Sequence, residues 1–422
     1  MLNNHAYPSI VSAKKSSNWR WMGVFIPTLI VAYLILALSP QYRFLQGDSD
    51  FIIYYTGARL VKERQGPRLY DLDLQMRYQR DILNSLQSAV QFPDGLLPYN
   101  HPPFEVIYFL PFVSLSYLKA FLLWNVFSLA CFGLGLVVLI KSSGLQSKTN
   151  AGLISVLSLA FLPLFATLLQ GQDTALVFLY LVLAFVSLKE SREIAGGLWL
   201  SLALQKFQIL WPILLLMLVK RRWKVFGGFL IGAIGALGVS LALVGPSGLR
   251  KYFELLIEMT GWVNRYGIYP SQMHSLRGQF FALWYDSHAN FAIAATVISS
   301  LLLVGLTIRS WKGKWDVSQP IFDLRFALLI VISLLVSPHL NFHDLSLLLL
   351  PGLLIYQFTL REVLPPSESR MLLIALFLVG YPVLVATFIV SAIVPIQLSV
   401  WALLVLSGIL MHQLRRFDNR IA

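Results

Sequence analysis

The 422 residues are 57% hydrophobic and only 13% charged, which excludes an ordinary soluble domain, where about a quarter of the residues are charged. The formal net charge of +13 comes from short Lys and Arg clusters between apolar runs, which disfavours the single basic face of a nucleic-acid-binding protein. Clusters placed in this way are typical of a multi-pass membrane protein, because positively charged loops stay in the cytoplasm.

The first predicted element is a membrane span at about 21–39. Basic residues precede it, so residues 1–20 are predicted to form a cytoplasmic segment and the span exits to the outer side. The polar stretch 40–103 is then the first outer loop. An amphipathic segment at 74–86 within this loop is typical of a helix that lies along the membrane surface.

The next elements are of unequal length. Residues 104–116 are apolar but too few to cross a hydrocarbon core of about 30 Å, so we interpret them as a re-entrant or interfacial piece. Spans follow at about 118–140 and 151–169. A return span then ends at Lys189, which the alternation of charged loops places in the cytoplasm.

Lys206 interrupts the apolar stretch 195–219 near its middle, where a lipid-facing ammonium group would be costly. We therefore divide the stretch into two half-length helices, with Lys206 at their outer turn or facing a cavity. No acidic residue is near Lys206 in the sequence, and two interpretations remain open. The ammonium group pairs with a lipid-linked phosphate, or it snorkels to the membrane interface.

The C-terminal half continues the alternation. A basic cluster at 220–224 precedes a span at about 224–244, which leads to a second outer segment at 245–290. The remaining spans end in a cytoplasmic tail at 413–422, so both termini are predicted to be cytoplasmic. The predicted fold is thus all-α, with about twelve crossings in a transmembrane domain at 21–412.

The polar residues suited to chemistry all lie at the outer ends of spans or in outer loops in this topology. They are Asp48, Asp50, His101, Gln172, Lys206, Gln272, His274, Arg277, His339, His343 and Asp344. Their convergence on one membrane face is typical of an interfacial active site. No internal repeat is visible, which disfavours a secondary transporter, since those folds are commonly duplicated.

Two acids, Asp48 and Asp50, follow the first span. In an extended chain they share a face, and their proximity raises one pKa while the other group stays ionised. An ionised Asp at this position is suited to accept a proton from an attacking hydroxyl group. Alternatively, Asp48 or Ser49 caps a helix that begins near Asp50.

The segment 337–344 joins two spans by a tight outer hairpin. His339 and His343 are four residues apart, but this spacing suits a metal only within a helix, and Pro338 argues against a helix there. We therefore predict no zinc site. The histidines are suited to hydrogen-bond a phosphate or sugar hydroxyls, and Asp344 is suited to orient one imidazole.

A series of short motifs runs through nearly the whole chain. Its members are Asp50 and Phe51, Tyr54 and Tyr55, Ala58 and Arg59, Leu69 to Asp71, Pro102 and Pro103, Pro111, Gly171 and Gln172, Gly196 and Gly197, Lys206, Ser337 to His339, and His343 and Asp344. In order and placement these motifs resemble glycosyltransferase family 87, membrane enzymes of the GT-C fold that include polyprenyl-phosphate-mannose-dependent mannosyltransferases. Two positions depart from the family pattern, because Asp173 stands where Asn is usual and Phe207 where Pro is usual.

The resemblance implies a GT-C-like bundle with extracytoplasmic loop helices. It implies transfer of a mannose-like hexose from a polyprenyl-phosphate donor to a lipid or glycan acceptor at the extracytoplasmic face. An acidic residue of the first outer loop serves as the base in this fold, and the matching position is Asp50, with Asp48 as a second candidate. The expected substrate-binding residues are Tyr54, Tyr55, His101, Gln172, Lys206, Arg277, His339, His343 and Asp344. A compact chain with a single cysteine suits a bacterial inner (plasma) membrane.

The expected reaction is a direct displacement at the anomeric carbon. Asp50 takes the proton of the acceptor hydroxyl, while Lys206, with Arg277 or His339, neutralises the departing lipid phosphate. Phosphate is already a good leaving group, so we expect neither a metal nor another cofactor. The main alternative is a transporter or flippase of a lipid-linked sugar, in which the same residues line a route, and a third interpretation is a structural membrane subunit.

Overall fold

The computed structural model describes residues 43–142, 148–361 and 364–421. These residues form α-helices and short 3-10 helices, and no β-strand occurs among them. The predicted all-α class is therefore confirmed. The predicted first span at 21–39 and the segment 1–20 lie outside the described residues.

The α-helices are labelled here in chain order. Those before Lys220 are α1 (Phe51–Lys62), α2 (Leu72–Ser85), α3 (Val106–Phe109), α4 (Tyr117–Ser142), α5 (Lys148–Leu159), α6 (Leu162–Gln170), α7 (Thr174–Lys189), α8 (Glu193–Leu202) and α9 (Phe207–Val219). Those after it are α10 (Trp223–Met259), α11 (Leu276–Ser310), α12 (Pro320–Leu335), α13 (Leu349–Leu360), α14 (Pro366–Gly380), α15 (Pro382–Ser391) and α16 (Leu398–Ile421). Short 3-10 helices lie at Arg43–Gln46, Gly66–Arg68, Pro103–Glu105, Ala203–Lys206, Pro270–Gln272 and Phe342–Leu348.

Six helical segments of the described chain are long and apolar enough to cross a membrane. They are Tyr117–Ser142, Glu193–Val219, Trp223–Met259, Leu276–Ser310, Phe342–Leu360 and Leu398–Asn419. Two bent pairs, α5 with α6 at 54° and α14 with α15 at 41°, raise the number to eight if each pair is one span. The predicted total of about twelve crossings is not confirmed.

The predicted span at 151–169 is in fact the bent pair α5 and α6. The chain leaves helical geometry at Phe161, whose φ of −78° and ψ of 110° are extended, and Pro163 occupies the first turn of the new helix. Proline fits a first turn because its missing N–H group has no helical acceptor there.

Helices α7 and α12 form the centre of the bundle. Nearly every residue from Thr174 to Leu188 and from Ile321 to Leu335 is buried. Helices surrounded on all sides by other helices need apolar residues all round, which explains the absence of a polar stripe on either one. Both have 16 residues, and each runs from one polar layer of the protein to another.

The first polar layer consists of ion pairs between loops that the sequence predicts to be cytoplasmic. Asp323, at the start of α12, is fully buried and contacts Lys189 Nζ at 2.8 Å and Arg361 Nη1 at 3.0 Å. Arg325 Nη2 contacts Asp418 Oδ1 at 2.7 Å in the same layer. Removing either partner of such a buried pair leaves an uncompensated charge, so these contacts hold the loops together.

The predicted break at Lys206 is confirmed. A 3-10 turn that ends with Lys206 separates α8 from α9, and Lys206 itself has a φ of −120° and a ψ of 57°. Arg222, just beyond α9, forms a salt bridge with Glu193 at the start of α8. The two far ends of the pair therefore meet, so the 27 residues Glu193–Val219 fold back as a hairpin although their length would suffice for one crossing.

The second outer segment is more helical than the predicted range 245–290 suggests. Helix α10 continues to Met259 past a kink at Gly245, where φ is 66° and ψ is 177°, and α11 begins at Leu276. The kink arises because Gly245 adopts a left-handed φ and Pro246 is suited to the first turn of the following helix.

The first outer loop contains the predicted amphipathic helix, which is α2. Residues 104–116 form only the last part of a 3-10 turn, the four-residue helix α3 and further turns. No helix of spanning length occurs in that range, which agrees with a re-entrant or interfacial piece.

Gly171 sets the distance between α1 and the turn after α6. Its φ of 60° is left-handed, and a Cβ at this position would lie 2.7 Å from Cβ of Phe51. Only a residue without a side chain fits both the backbone conformation and this approach. The turn 171–173 can therefore lie directly against the start of α1.

We expect Gly171→Ala to destabilise the folded protein by more than about 1 kcal/mol, which is the usual cost of a left-handed conformation with a Cβ present. The melting temperature of the purified protein in detergent measures this effect. Gly133→Ala in α4 is the matched control, because no atom lies within 4 Å of the added Cβ and alanine favours a helix. A Gly171→Ala variant as stable as the wild type would contradict the assigned packing.

Candidate active site

A cavity of about 540 Å³ lies at the end of the bundle away from the ion pairs of Asp323 and Arg325. The described chain places most of the sequence-predicted site residues in its wall. Those that line it are Asp50, His101, Gln172, Lys206, Arg277, His339, His343 and Asp344. These residues come from six separate parts of the chain, so only the folded bundle brings them together.

Lys206 lies at the inner wall of the cavity between two aspartates. Its Nζ atom is 2.8 Å from Asp344 Oδ1, 3.1 Å from Asp173 Oδ1 and 3.3 Å from Gln172 Oε1. The ammonium group donates a hydrogen bond to Gln172, and the two aspartates are its ion-pair partners. Lys206 is 5% exposed, which disfavours the interpretation that it snorkels to the interface, and its partners in the described chain are two carboxylates and an amide.

Asp50 is held at the cavity by the turn after α6. Its Oδ2 atom accepts a hydrogen bond of 2.6 Å from Gln172 Nε2, and its backbone N–H donates to Gln170 Oε1 at 3.0 Å. Asp50 occupies the N-cap position of α1, but its side chain makes no capping bond. The predicted helix start is therefore correct to one residue. The Asp50 carboxylate, however, accepts a hydrogen bond from Gln172 instead of capping the helix.

Gln172 connects Asp50 to Lys206 and Tyr54. Its Oε1 atom accepts from Tyr54 Oη at 2.9 Å and from Lys206 Nζ, while its Nε2 donates to Asp50. These bonds fix the orientation of the amide, since only its nitrogen can donate. The position of the Asp50 carboxylate thus depends on Lys206 through one side chain.

The other predicted residues of the first outer loop lie behind the cavity wall. Tyr54 is fully buried and stacks on Phe109 with ring centroids 4.4 Å apart. Tyr55 donates to the Leu115 carbonyl at 2.7 Å. Neither tyrosine lines the cavity, and neither does Asp48. The two tyrosines and Asp48 thus lie outside the cavity wall, whereas Asp50 faces the cavity, which favours Asp50 over Asp48 as the reacting acid.

The segment 337–344 turns through the cavity wall before a helix begins. Asn341 and Asp344 form a capping box for the 3-10 helix that follows, with Asp344 Oδ2 accepting from the Asn341 N–H at 2.9 Å. Asp344 Oδ1 lies 3.5 Å from His343 Nε2 as well as beside Lys206. His339 precedes the helix, so the two histidines do not share a helix face. In the described ranges no cluster of three or more His, Cys, Asp or Glu is arranged to hold a metal.

Arg277 and His339 differ in charge. Burial lowers the pKa of His339 to about 4, and the nearby Lys206 and Arg277 add to this effect against Asp344. This shift disfavours the protonated imidazole at neutral pH, so of the two residues predicted to neutralise the phosphate with Lys206, Arg277 is the better suited. Arg277 donates to the Pro338 carbonyl at 2.9 Å and lies over the Phe281 ring. No carboxylate among the described residues pairs with Arg277, which leaves its positive charge facing the cavity.

Sequence reasoning missed two acids of this region, Asp173 and Glu105. Asp173 entered it only as a departure from the family pattern, yet its burial is complete and it pairs with Lys206. Glu105 is also fully buried, with Oε2 3.0 Å from His101 Nδ1. Two signals in the sequence could have revealed them. Asp173 lies inside an apolar run, where a buried acid requires a partner, and Glu105 is four residues from His101.

The arrangement therefore contains one carboxylate, Asp50, that faces the cavity without an ion-pair partner in the described chain. Two other aspartates share Lys206 as their ion-pair partner, and Arg277 supplies a cation on another wall. A carboxylate near a cation in a partly water-excluded cavity is suited to accept a proton while an anion forms or departs.

Comparison with known proteins agrees with this geometry. The model of glycosyltransferase family 87 matches residues 99–338, more than half of the chain. The matched region contains His101, Gln172, Lys206 and Arg277 of the cavity, and it begins after Asp50. No curated protein and no solved structure gives a match. The family match covers the central helices and most of the cavity wall, and on this basis the chain belongs to glycosyltransferase family 87.

Proposed function

We infer that this membrane glycosyltransferase transfers a mannose-like hexose from a polyprenyl-phosphate donor to a lipid or glycan acceptor. The observation that carries the proposal is the carboxylate of Asp50, which faces a cavity shared with the Arg277 guanidinium. The cavity lies at the end of a bundle of apolar helices, where a donor with an apolar lipid chain can reach it from the membrane. The cavity lies away from the basic loops, so the positive-inside rule supports an extracytoplasmic reaction in an inner (plasma) membrane.

The proposed step is a single displacement. The acceptor hydroxyl oxygen bonds to the anomeric carbon while Asp50 takes the hydroxyl proton. The bond from the anomeric carbon to the phosphate oxygen breaks, and polyprenyl phosphate leaves with the electron pair. Arg277 stabilises the negative charge that grows on the phosphate.

Lys206 has a different part in this proposal from the one that the sequence suggests. It forms ion pairs with Asp173 and Asp344 and donates a hydrogen bond to Gln172, so it acts by stabilising the two buried aspartates and orienting Gln172. In this proposal Arg277, and not Lys206, contacts the phosphate directly.

We expect Asp50→Asn to lower kcat about 10²- to 10⁴-fold, the usual contribution of a general base, because an amide cannot accept the proton. Asp48→Asn is the matched control, since Asp48 does not line the cavity, and it should retain activity within about threefold of wild type. Transfer of radiolabelled hexose by purified protein measures both. Full activity of the Asp50→Asn variant would sink the assignment, and absence of transfer by the wild type with several donor sugars would favour a lipid-linked sugar transporter.

We expect Arg277→Gln and Lys206→Met to fail in different ways. Arg277→Gln should lower kcat/KM for the donor at least about tenfold in a normally folded protein, because one hydrogen-bonded charge contact is worth about 1.5–3 kcal/mol. Lys206→Met should lower the yield and melting temperature, since loss of one partner of a buried ion pair costs about 3–5 kcal/mol. A stable Lys206→Met protein with only a raised KM would show that Lys206 binds the phosphate directly.

We expect transfer to be independent of a divalent metal. Purified enzyme assayed with EDTA and with added Mg²⁺ or Mn²⁺ should show the same rate within about twofold, because the proposed charge stabilisation comes from protein groups. Loss of activity in EDTA that a divalent ion restores would overturn this part of the mechanism.

A further inference from the structure

A second buried acid lies beside the cavity and has no part in the proposed displacement. Glu105, in the 3-10 turn Pro103–Glu105, has no exposed surface, and its Oε2 atom is 3.0 Å from Nδ1 of His101. The side chain of His101 is 17% exposed and lines the cavity, whereas Glu105 does not. The pair thus has a hidden carboxylate and an imidazole that reaches the substrate space.

The chain fixes the geometry of this pair. Tyr70 donates to the His101 carbonyl at 2.7 Å, and the Tyr54 ring lies 4.8 Å from the imidazole. Pro102 and Pro103 restrict the backbone between the two partners. Within the described ranges the Glu105 carboxylate, at ion-pair distance, is the polar side-chain partner of the His101 ring, so its Nε2 atom, across the ring from Nδ1, is available to a ligand in the cavity.

We propose that Glu105 is a positioning residue that makes His101 Nε2 a hydrogen-bond donor to a phosphate oxygen of the lipid-linked donor substrate. The proposal deepens the proposed function and rests on it. His101 would be the group that touches substrate, and Glu105 would act through it.

The protonation of the pair decides what Nε2 can do. With one shared proton, the pair is either imidazolium with carboxylate or neutral imidazole with carboxylic acid. In both forms Nε2 carries a hydrogen, because in the second form Nδ1 accepts from the acid. When the shared proton is lost, Nδ1–H donates to the carboxylate and Nε2 becomes an acceptor. A phosphate oxygen can only accept, so it binds only while the shared proton is present.

The residues around Glu105 and His101 shift their pKa values so that the shared proton is lost near neutral pH. Burial raises the pKa of Glu105 to about 7, and Asp173 adds to the rise while His101 and Lys206 oppose it. Burial by itself lowers the pKa of His101, but the Glu105 carboxylate outweighs it and the net direction is upward. The tyrosines that face the pair are Tyr54, Tyr70, Tyr99, Tyr108 and Tyr252. Burial raises the pKa values of Tyr54, Tyr70 and Tyr99 well above their usual range, so these phenols stay protonated.

These pKa shifts determine how binding of the phosphate changes with pH. The donor hydrogen on Nε2 is present below the pKa of the pair and is lost as the pH rises through it. We therefore expect the wild-type KM for the polyprenyl-phosphate sugar to rise about tenfold between pH 6 and pH 9, because loss of one such bond costs about 1.5 kcal/mol. The donor is a phosphate diester, which keeps one charge over this range, whereas a phosphate monoester itself titrates near pH 6.

The deciding experiment is the pH profile of the donor KM for full-length wild type, Glu105→Gln and His101→Gln in detergent. In Glu105→Gln the amide can donate to Nδ1 and leave Nε2–H in place, so the KM should be within about threefold of wild type at pH 6 and flat to pH 9. His101→Gln should be flat and about tenfold higher than wild type at pH 6. The control Glu254→Gln removes an exposed carboxylate paired with Arg250 and should keep the wild-type profile.

The outcomes separate this inference from the proposed function. A folded Glu105→Gln protein with the wild-type pH profile would overturn the dyad, as would a wild-type KM that does not change with pH. If Glu105→Gln fails to fold, His101→Gln and the wild-type profile still decide. Absence of any wild-type transfer at all pH values would instead count against the proposed function.

Discussion

The structure of the cavity depends on the burial of one ammonium group between two carboxylates. Lys206 lies at the tip of the hairpin formed by α8 and α9, where it meets Asp173 at the start of α7 and Asp344 at the start of the chain that leads into α13. Removing these charges from water costs several kcal/mol per ion, which only close pairing and further hydrogen bonds can offset. The contact therefore fixes three helical segments relative to one another, and through Gln172 it also fixes Asp50.

The sequence predicts the local parts of this arrangement well. A lysine inside an apolar stretch predicts the break between α8 and α9, since neither lipid nor a continuous helix face accommodates an ammonium group. The outer hairpin before Phe342 follows from Pro338, and α2 follows from its amphipathic pattern. In each case the determining residues are neighbours in the chain.

The partners of these residues are not predictable in the same way. Asp173 and Asp344 lie 33 and 138 residues from Lys206 in the sequence, and neither spacing carries a pattern. Burial also lowers the pKa of His339, and the sequence alone does not show that this side chain is buried. The count of crossings is not confirmed for a related reason, because apolar composition gives neither the length nor the burial of a helix: α7, which is buried on nearly all sides, has only 16 residues.

The charges around the cavity restrict where a phosphate can bind. Near Lys206, a phosphate would approach Asp173 and Asp344 before it reached an N–H donor, and like charges repel strongly in a water-poor site. Arg277 has no carboxylate partner in the described chain, and the imidazole of His101 is backed by a carboxylate that is itself hidden from the cavity. An anionic donor is therefore more favourable on the side of Arg277 and His101. In the proposed displacement the phosphate would then lie on the side of Arg277 and His101, and the attacking hydroxyl group would lie beside Asp50.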